Sequence, residues 1–367
     1  MRIGIDATSL LGRRTGIGTY TANLLRHLTS DWEQDEVVAT AFTFRGRQEL
    51  ATEVPPGIKV QTKAVPARAL RAAWARVNVP VVEALCGRVD VFHATNFVLP
   101  PSRGAAGVVT IHDLAYLKFP ETVSAASLAY RELVPKSLSR AAVILTPSRT
   151  VRDQLLDAYV VDAERVVVTP LGVDQAWFEV AKPSVEWRRQ HGLPDEYLLA
   201  VGTLEPRKNL AALLAALRLL TQRQDHPPHL VLAGGKGWGP ALDLAGLRTD
   251  KVTLTGHLPE ADLRRLVAGA SLLVFPSLDE GFGLPPLEAL ACGVSVLAND
   301  LPVTREVLGS CASYCDAGDP DQFAAAVLDA VGHPAATPAQ RQERASGFSW
   351  TNCVRLTRQA YVRALDD

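Results

Sequence analysis

The chain has 367 residues, 47% of them apolar and 21% charged, and a formal charge of −1. That composition supplies real cores and excludes a mainly disordered chain; its near-neutral balance excludes nucleic-acid binding through a bulk basic field. No apolar stretch approaches the ~20 residues that span a bilayer, residues 1–6 are too short an apolar run for a secretory signal, and five cysteines fit a reducing cytoplasm better than a disulfide framework.

In chain order, residues 2–6 read as a first strand. Gly16-Ile17-Gly18 then opens a helix that carries Tyr20, Leu24, Leu25 and Leu28 at helical spacing. Short apolar runs at 37–44, 89–93, 107–112, 142–147 and 165–170 alternate with amphipathic stretches, the pattern of βα units around a parallel sheet. Two of these runs end in a histidine, His93 and His112. Between them, residues 67–88 set Arg68, Arg71, Arg76 and Arg88 among Leu70, Trp74, Val77 and Leu85. That stretch reads first as a helix packed on its own domain. Its tryptophan and its arginines also suit peripheral contact with an anionic membrane.

Residues 171–195, with Pro183 and Pro194, form the connection to a second series of runs at 197–202, 229–233, 251–255, 271–275, 294–298 and 312–315. Helical stretches at 210–220 and 284–291 lie between them. The sequence therefore predicts two doubly wound α/β domains, 1–172 and 173–347. The excess of basic over acidic residues is +4 over 1–172 and −5 over 173–367. The amphipathic stretch 350–365 (Val354, Leu356, Tyr361, Leu365) is placed to pack back on the first domain.

In open α/β sheets ligands bind beyond the carboxyl ends of the strands, so the polar residues there are the candidates. Gly16 and Gly18 let backbone approach a ligand at a helix N-terminus, but no third glycine completes the dinucleotide fingerprint, which disfavours an oxidoreductase. His112-Asp113 follows one strand and offers a hydrogen-bonding or proton-relaying imidazole. Arg207 and Lys208 follow another, just before a helix, where cations grip phosphate. The most informative stretch is 275–293. Here Glu280 precedes a Gly281-Phe282-Gly283 turn, Pro285 and Pro286 sit in the first turn of a helix, and Glu288 lies one turn further in. Paired carboxylates suit the vicinal hydroxyls of a sugar or ribose, and the amides of the turn suit charge. Asp319-Pro320-Asp321 superficially matches a metal-binding pair but reads better as a helix N-cap. Cys311 and Cys315 lack the further ligands of a zinc site.

With the Glu280-x7-Glu288 motif in view, the chain resembles the retaining glycosyltransferases of family 4, which have the GT-B fold. The resemblance spans nearly the whole chain through the Gly16/Gly18 loop, His112-Asp113, Glu205-Pro206-Arg207-Lys208-Asn209 and Phe348-Ser349-Trp350. Its wording is nearest the mannosyltransferase-B-like branch. It implies two Rossmann-like domains facing a central cleft, with a C-terminal helix at about 348–367 crossing back to the first. It implies transfer of a hexosyl, in first place mannosyl, residue from a nucleotide-diphosphate sugar (GDP-mannose before a UDP-sugar) to a glycan, lipid-linked or natural-product hydroxyl. It also implies a cytoplasmic enzyme, at or near the inner face of the membrane, with no cofactor and no metal.

Carried over residue by residue, Glu280 binds donor-sugar hydroxyls with the amides of Phe282, Gly283 and Leu284 nearby. Glu288 holds the ribose, Arg207 and Lys208 neutralise the diphosphate, and Gly16 and Gly18 approach the phosphates. His112 contacts the donor sugar, and Gly256-His257-Leu258 cradles the base. Many members carry an arginine directly after the glycine of the first phosphate strand; here Gly202 is followed by Thr203, so Arg207 is expected to supply that cation. A sugar-nucleotide hydrolase or epimerase, or a non-catalytic sugar-nucleotide-binding protein, remains open on the same fold.

Overall fold

The computed structural model describes residues 1–366 except 13, 32–33 and 45–47. The chain divides into two compact units, one of Met1–Lys118, Ala125–Gly172 and Ser349–Asp367, the other of Phe119–Ser124 and Val173–Phe348.

The first unit holds strands β1 (Arg2–Asp6), β2 (Glu36–Thr40), β3 (Lys59–Val60), β4 (Val91–Ala94), β5 (Ala106–Thr110), β6 (Val143–Thr146) and β7 (Val166–Val168). They form one sheet in the order β3-β2-β1-β4-β5-β6-β7, and every pairing is parallel. Ile5 faces Ala39 on one side and His93 on the other. Helices cover both faces of such a sheet, so its strands are continuous apolar runs, as in Val143-Ile144-Leu145.

The second unit repeats the plan with β8 (Leu198–Val201), β9 (Leu230–Ala233), β10 (Val252–Gly256), β11 (Leu272–Phe275), β12 (Ser295–Asn299) and β13 (Ser313–Cys315). Their order is β10-β9-β8-β11-β12-β13, again with every pairing parallel. The helix Leu210–Arg223 lays Leu210, Leu213, Leu214, Leu217 and Leu220 on β8, β9 and β11, with Phe323 and Val327 completing the cluster. Each such buried side chain contributes about 1.5–3 kcal/mol over an exposed one. Each sheet therefore has its switch point between its first and fourth strands, β1/β4 and β8/β11, and a crevice opens beyond their carboxyl ends.

Several details depart from the sequence reading. The edge strand β3, only Lys59 and Val60, had no apolar pattern to mark it. The helix Ala67–Trp74 turns Leu70 and Trp74 inward, and the Trp74 indole donates to the Pro80 carbonyl at 2.9 Å. The aromatic anchor of the membrane reading is thus in the core, and Arg68, Arg76, Val77 and Val79 keep the solvent side. The C-terminal helix Trp350–Asp366 belongs to the first unit, but it buries Cys353, Val354, Thr357 and Tyr361 and leaves Leu365 46% exposed. Asp319 caps the helix Pro320–Gly332 by accepting from the Asp321 and Gln322 amides. All five thiols are free. Among the described residues no helix is long and apolar enough to cross a membrane.

Candidate functional site

At the β8/β11 switch point the chain leaves β8 through Gly202 and turns at Pro206–Lys208 before Asn209, in the left-handed region at φ 50°, starts the next helix. The loop after β9 packs directly on this turn: the Leu204 amide donates to the Gly235 carbonyl at 3.0 Å. A Cβ at Gly234 would lie 1.8 Å from the Gly202 carbonyl oxygen, so only glycine fits there. From β11 the chain runs through Ser277 to Glu280, and the Leu278 amide donates to the Arg207 carbonyl at 2.9 Å. The two loops are thereby locked together beyond the strand ends.

This lock assembles a buried ion network. Lys208 Nζ donates to Glu280 Oε1 at 2.6 Å, and Arg207 Nη1 lies 3.1 Å from Glu280 Oε2. Arg207 also donates to the Asp279 carbonyl at 2.6 Å and to Glu205 Oε1 at 2.9 Å. Burial pushes the Glu280 carboxyl up, but Arg207 and Lys208 together outweigh it and bring it down to about 2. Glu205 goes the other way: desolvation raises it, and Glu280 adds to the rise against the pull of the two cations. Glu280 is therefore a carboxylate at neutral pH, and Lys208 also lies over the Phe275 ring at 5.4 Å.

Next to this network the helix Leu284–Ala291 begins after Gly283, whose φ of 93° supplies the left-handed cap. Pro285 and Pro286 have no N–H, and among the described residues no hydrogen bond from the amides of Phe282, Gly283 or Leu284 is found. Those orphan donors and the helix dipole favour an anion. Phe282 is buried edge-on against Phe348 at 5.6 Å. Glu288 lies one turn on and is half-buried; burial and Glu260 push its carboxyl up to about 8 against the pull of Arg264. The two glutamates of the motif therefore have opposite electrostatics, because Glu280 has two cations in contact and Glu288 has none. Gly256, at φ 68°, ends the edge strand β10 and its carbonyl accepts from the Gly234 amide at 2.9 Å. His257 is exposed and Leu258 half-buried just beyond.

Gly16, Gly18 and His112 belong to the first unit. Gly16 is open, whereas a Cβ at Gly18 would lie 2.8 Å from the Ser9 carbonyl oxygen, so Gly18 is required by packing. His112 Nε2 lies 2.7 Å from the Thr95 carbonyl, which can only accept, so Nε2 carries the proton. Burial lowers the His112 pKa and keeps the ring neutral, with Nδ1 as the acceptor. His93, by contrast, is structural: it bonds the Tyr361 hydroxyl and the Thr110 hydroxyl at 2.7 Å each, and burial brings its pKa down to about 3.

Sequence reasoning did not single out Glu205 as a partner of Arg207. The only local signal was its place two residues before that arginine, beyond a strand end. The arrangement can hold a diphosphate on Arg207, Lys208 and the helix amides while Glu280 accepts hydrogen bonds from hydroxyls.

Comparison with known proteins follows the same division. The model for glycosyl transferases group 1 matches residues 184–346, and that for Glycosyltransferase Family 4 matches residues 14–177. The O-antigen chain mannosyltransferase B of Escherichia coli is 32% identical over 288 residues, 74% of this chain and 74% of that one. Among solved structures, sucrose-phosphate synthase from Thermosynechococcus elongatus is similar at a TM-score of 0.74 and 19% identity, over 99% of this chain and 98% of that one. HepE from Anabaena, solved in complex with UDP-glucose, is similar at 0.68 and 17%, over 98% of both chains. At these identities the structural likenesses carry the fold alone, the GT-B arrangement of two Rossmann-like domains.

Proposed function

The chain belongs to glycosyltransferase family 4 and is a hexosyltransferase, and we propose that it moves a mannosyl residue from GDP-mannose, with retention of configuration, to a hydroxyl of a glycan or lipid-linked acceptor. The observation that carries this reading is the Arg207–Lys208–Glu280 network beyond β8 and β11. The mannosyl choice is supported by the mannosyltransferase relative, and the nucleotide-sugar donor by the UDP-glucose held by HepE on the same fold.

In this mechanism the acceptor oxygen bonds to the anomeric carbon while the bond from that carbon to the diphosphate oxygen breaks. The bonding electrons leave with the diphosphate, and a diphosphate oxygen on the same face takes the acceptor proton. Negative charge grows on the leaving group, where Arg207 and Lys208 stabilise it more in the transition state than before it. Glu280 accepts from donor-sugar hydroxyls, Glu288 from the ribose, and His112 Nδ1 from a sugar hydroxyl. Gly16, Gly18 and the 256–258 turn offer backbone to phosphate and base. The two cations supply the positive charge the departure needs, so the reading calls for no metal and no cofactor. We place the enzyme in the cytoplasm, at the membrane face where lipid-linked acceptors lie.

A thermal-shift panel of nucleoside diphosphates and their sugars tests the donor. A ligand at 100 times its Kd stabilises the fold by about 2.7 kcal/mol, so GDP-mannose should raise Tm most, and NMR of the product should show the donor's anomeric configuration. A larger shift from another base or sugar replaces the donor, and an inverted product overturns the mechanism.

A further inference from the structure

The switch point of the first sheet holds a second set of polar groups that the reading above leaves unused. Asp6 ends β1 and Asn96 lies two residues beyond β4, at the crevice between those strands. Together with Arg71, Trp74 and Phe42 they line a cavity of about 170 Å³. Drug-sized pockets run to roughly 300–1,000 Å³, so this one admits a single ring rather than an extended chain.

The lining specifies its occupant. Asp6 is 7% exposed, and both bonds to its carboxylate, from the Thr8 amide at 2.9 Å and the Thr8 hydroxyl at 2.6 Å, end on Oδ1. No described residue bonds Oδ2. Asn96 donates to the Tyr130 hydroxyl, but its Oδ1 is buried with no hydrogen-bond partner. A buried acceptor left unpaired costs about 1–3 kcal/mol. A further cost holds it there: Phe97, the next residue, is buried at φ 59°, a left-handed backbone that strains a bulky side chain. Stacking on Tyr130 at 4.6 Å and a bond from the Phe97 amide to the Thr110 carbonyl at 3.1 Å fix that bend. Strain of this kind persists where the surroundings over-determine it, often at ligand sites.

Phe42 and Trp74 meet edge to face at 5.2 Å, and the Trp74 N–H is already engaged, so they offer carbon surface. Two acceptor oxygens seek hydroxyl donors, one guanidinium seeks an oxygen acceptor, and the aromatic wall suits a C–H face. A phosphate would meet the Asp6 carboxylate and the Asn96 carbonyl. We propose that this cavity binds one neutral pyranose ring of the acceptor, its hydroxyls donating to Asp6 Oδ2 and Asn96 Oδ1 and accepting from Arg71. This rests on the transferase reading above and names the class of acceptor sugar.

The test is saturation-transfer NMR on the full chain with a panel of methyl hexopyranosides, with inositol 1-phosphate as the anionic probe. At least one neutral glycoside should saturate the wild type more tightly than the phosphate. Asn96→Ala, and separately Arg71→Met, should weaken it tenfold or more while the Tm shift given by a nucleoside diphosphate is unchanged; that shift also reports that each variant folds. Tighter binding of the phosphate, no binding of any glycoside, or wild-type glycoside affinity in both variants overturns the cavity proposal. A wild type that saturates with glycoside but takes no nucleotide sugar overturns the donor reading instead.

Discussion

The two switch points share a strand order and a buried carboxylate, and they treat that carboxylate in opposite ways. Asp6, beyond β1, is raised by desolvation that its Thr8 bonds and the more distant Arg71 do not cancel. Glu280, beyond β11, suffers the same desolvation but touches Arg207 and Lys208, and it falls to about 2. The same crevice in the same topology is thus a charge-dense, internally paired site in one unit and a carbon-walled cavity with unpaired acceptors in the other. What separates them is whether the loop after the first strand of the sheet carries cations, as Arg207 and Lys208 do after β8, or hydroxyl residues, as Thr8 and Ser9 do after β1.

Four experiments sharpen or break that contrast. The largest effect is expected from Glu280→Ala, which leaves two cations without their buried partner. Breaking such a pair costs about 3–5 kcal/mol, and calorimetric or denaturant unfolding should read a loss of that size together with loss of transfer. A variant as stable as wild type would mean that water already screens the network. The linkage has a definite sign: Glu280 is lowered, so its stabilisation is complete above about 4.5 and is lost as pH falls towards about 2.

Tyr361→Phe comes next. It strips the hydroxyl from His93 Nδ1 in the first unit's core, at an expected cost of about 1–3 kcal/mol. Because His93 is structural, kcat should stay within about twofold of wild type; a tenfold drop would give the histidine a part in the chemistry.

Glu288→Gln is the smallest change. The Glu288 carboxyl is raised to about 8, so between about pH 4.5 and 8 the folded state binds the extra proton and stability declines as pH rises. The slope from one such group is at most about 1.4 kcal/mol per pH unit. The variant should flatten the pH dependence of Tm across that window, whereas an unchanged slope would assign it to other groups.

The sequence carried the architecture because parallel strands are local signals. Runs such as Leu272–Phe275 are apolar on both faces and need no partner to be recognised. The edge strand β3 escaped because two half-exposed residues hold no period. Arg207, Lys208 and Glu280 were legible as residues beyond strand ends, but not as one network. Their pairing depends on Gly234 admitting the Gly202 carbonyl, a contact between loops some thirty residues apart. The Asp6 cavity was hidden more deeply, since Asp6, Arg71 and Asn96 come from three elements and none belongs to a motif. Trp74 misled for a related reason: amphipathic spacing fixes an apolar face but not whether lipid or a protein core covers it.

The central claim is that Arg207 and Lys208 beyond β8 hold the donor's diphosphate. Isothermal titration of GDP into wild type and Lys208→Met, at equal ionic strength and with matched Tm, tests it directly. The account predicts an affinity at least tenfold weaker in the variant; equal affinities would contradict it.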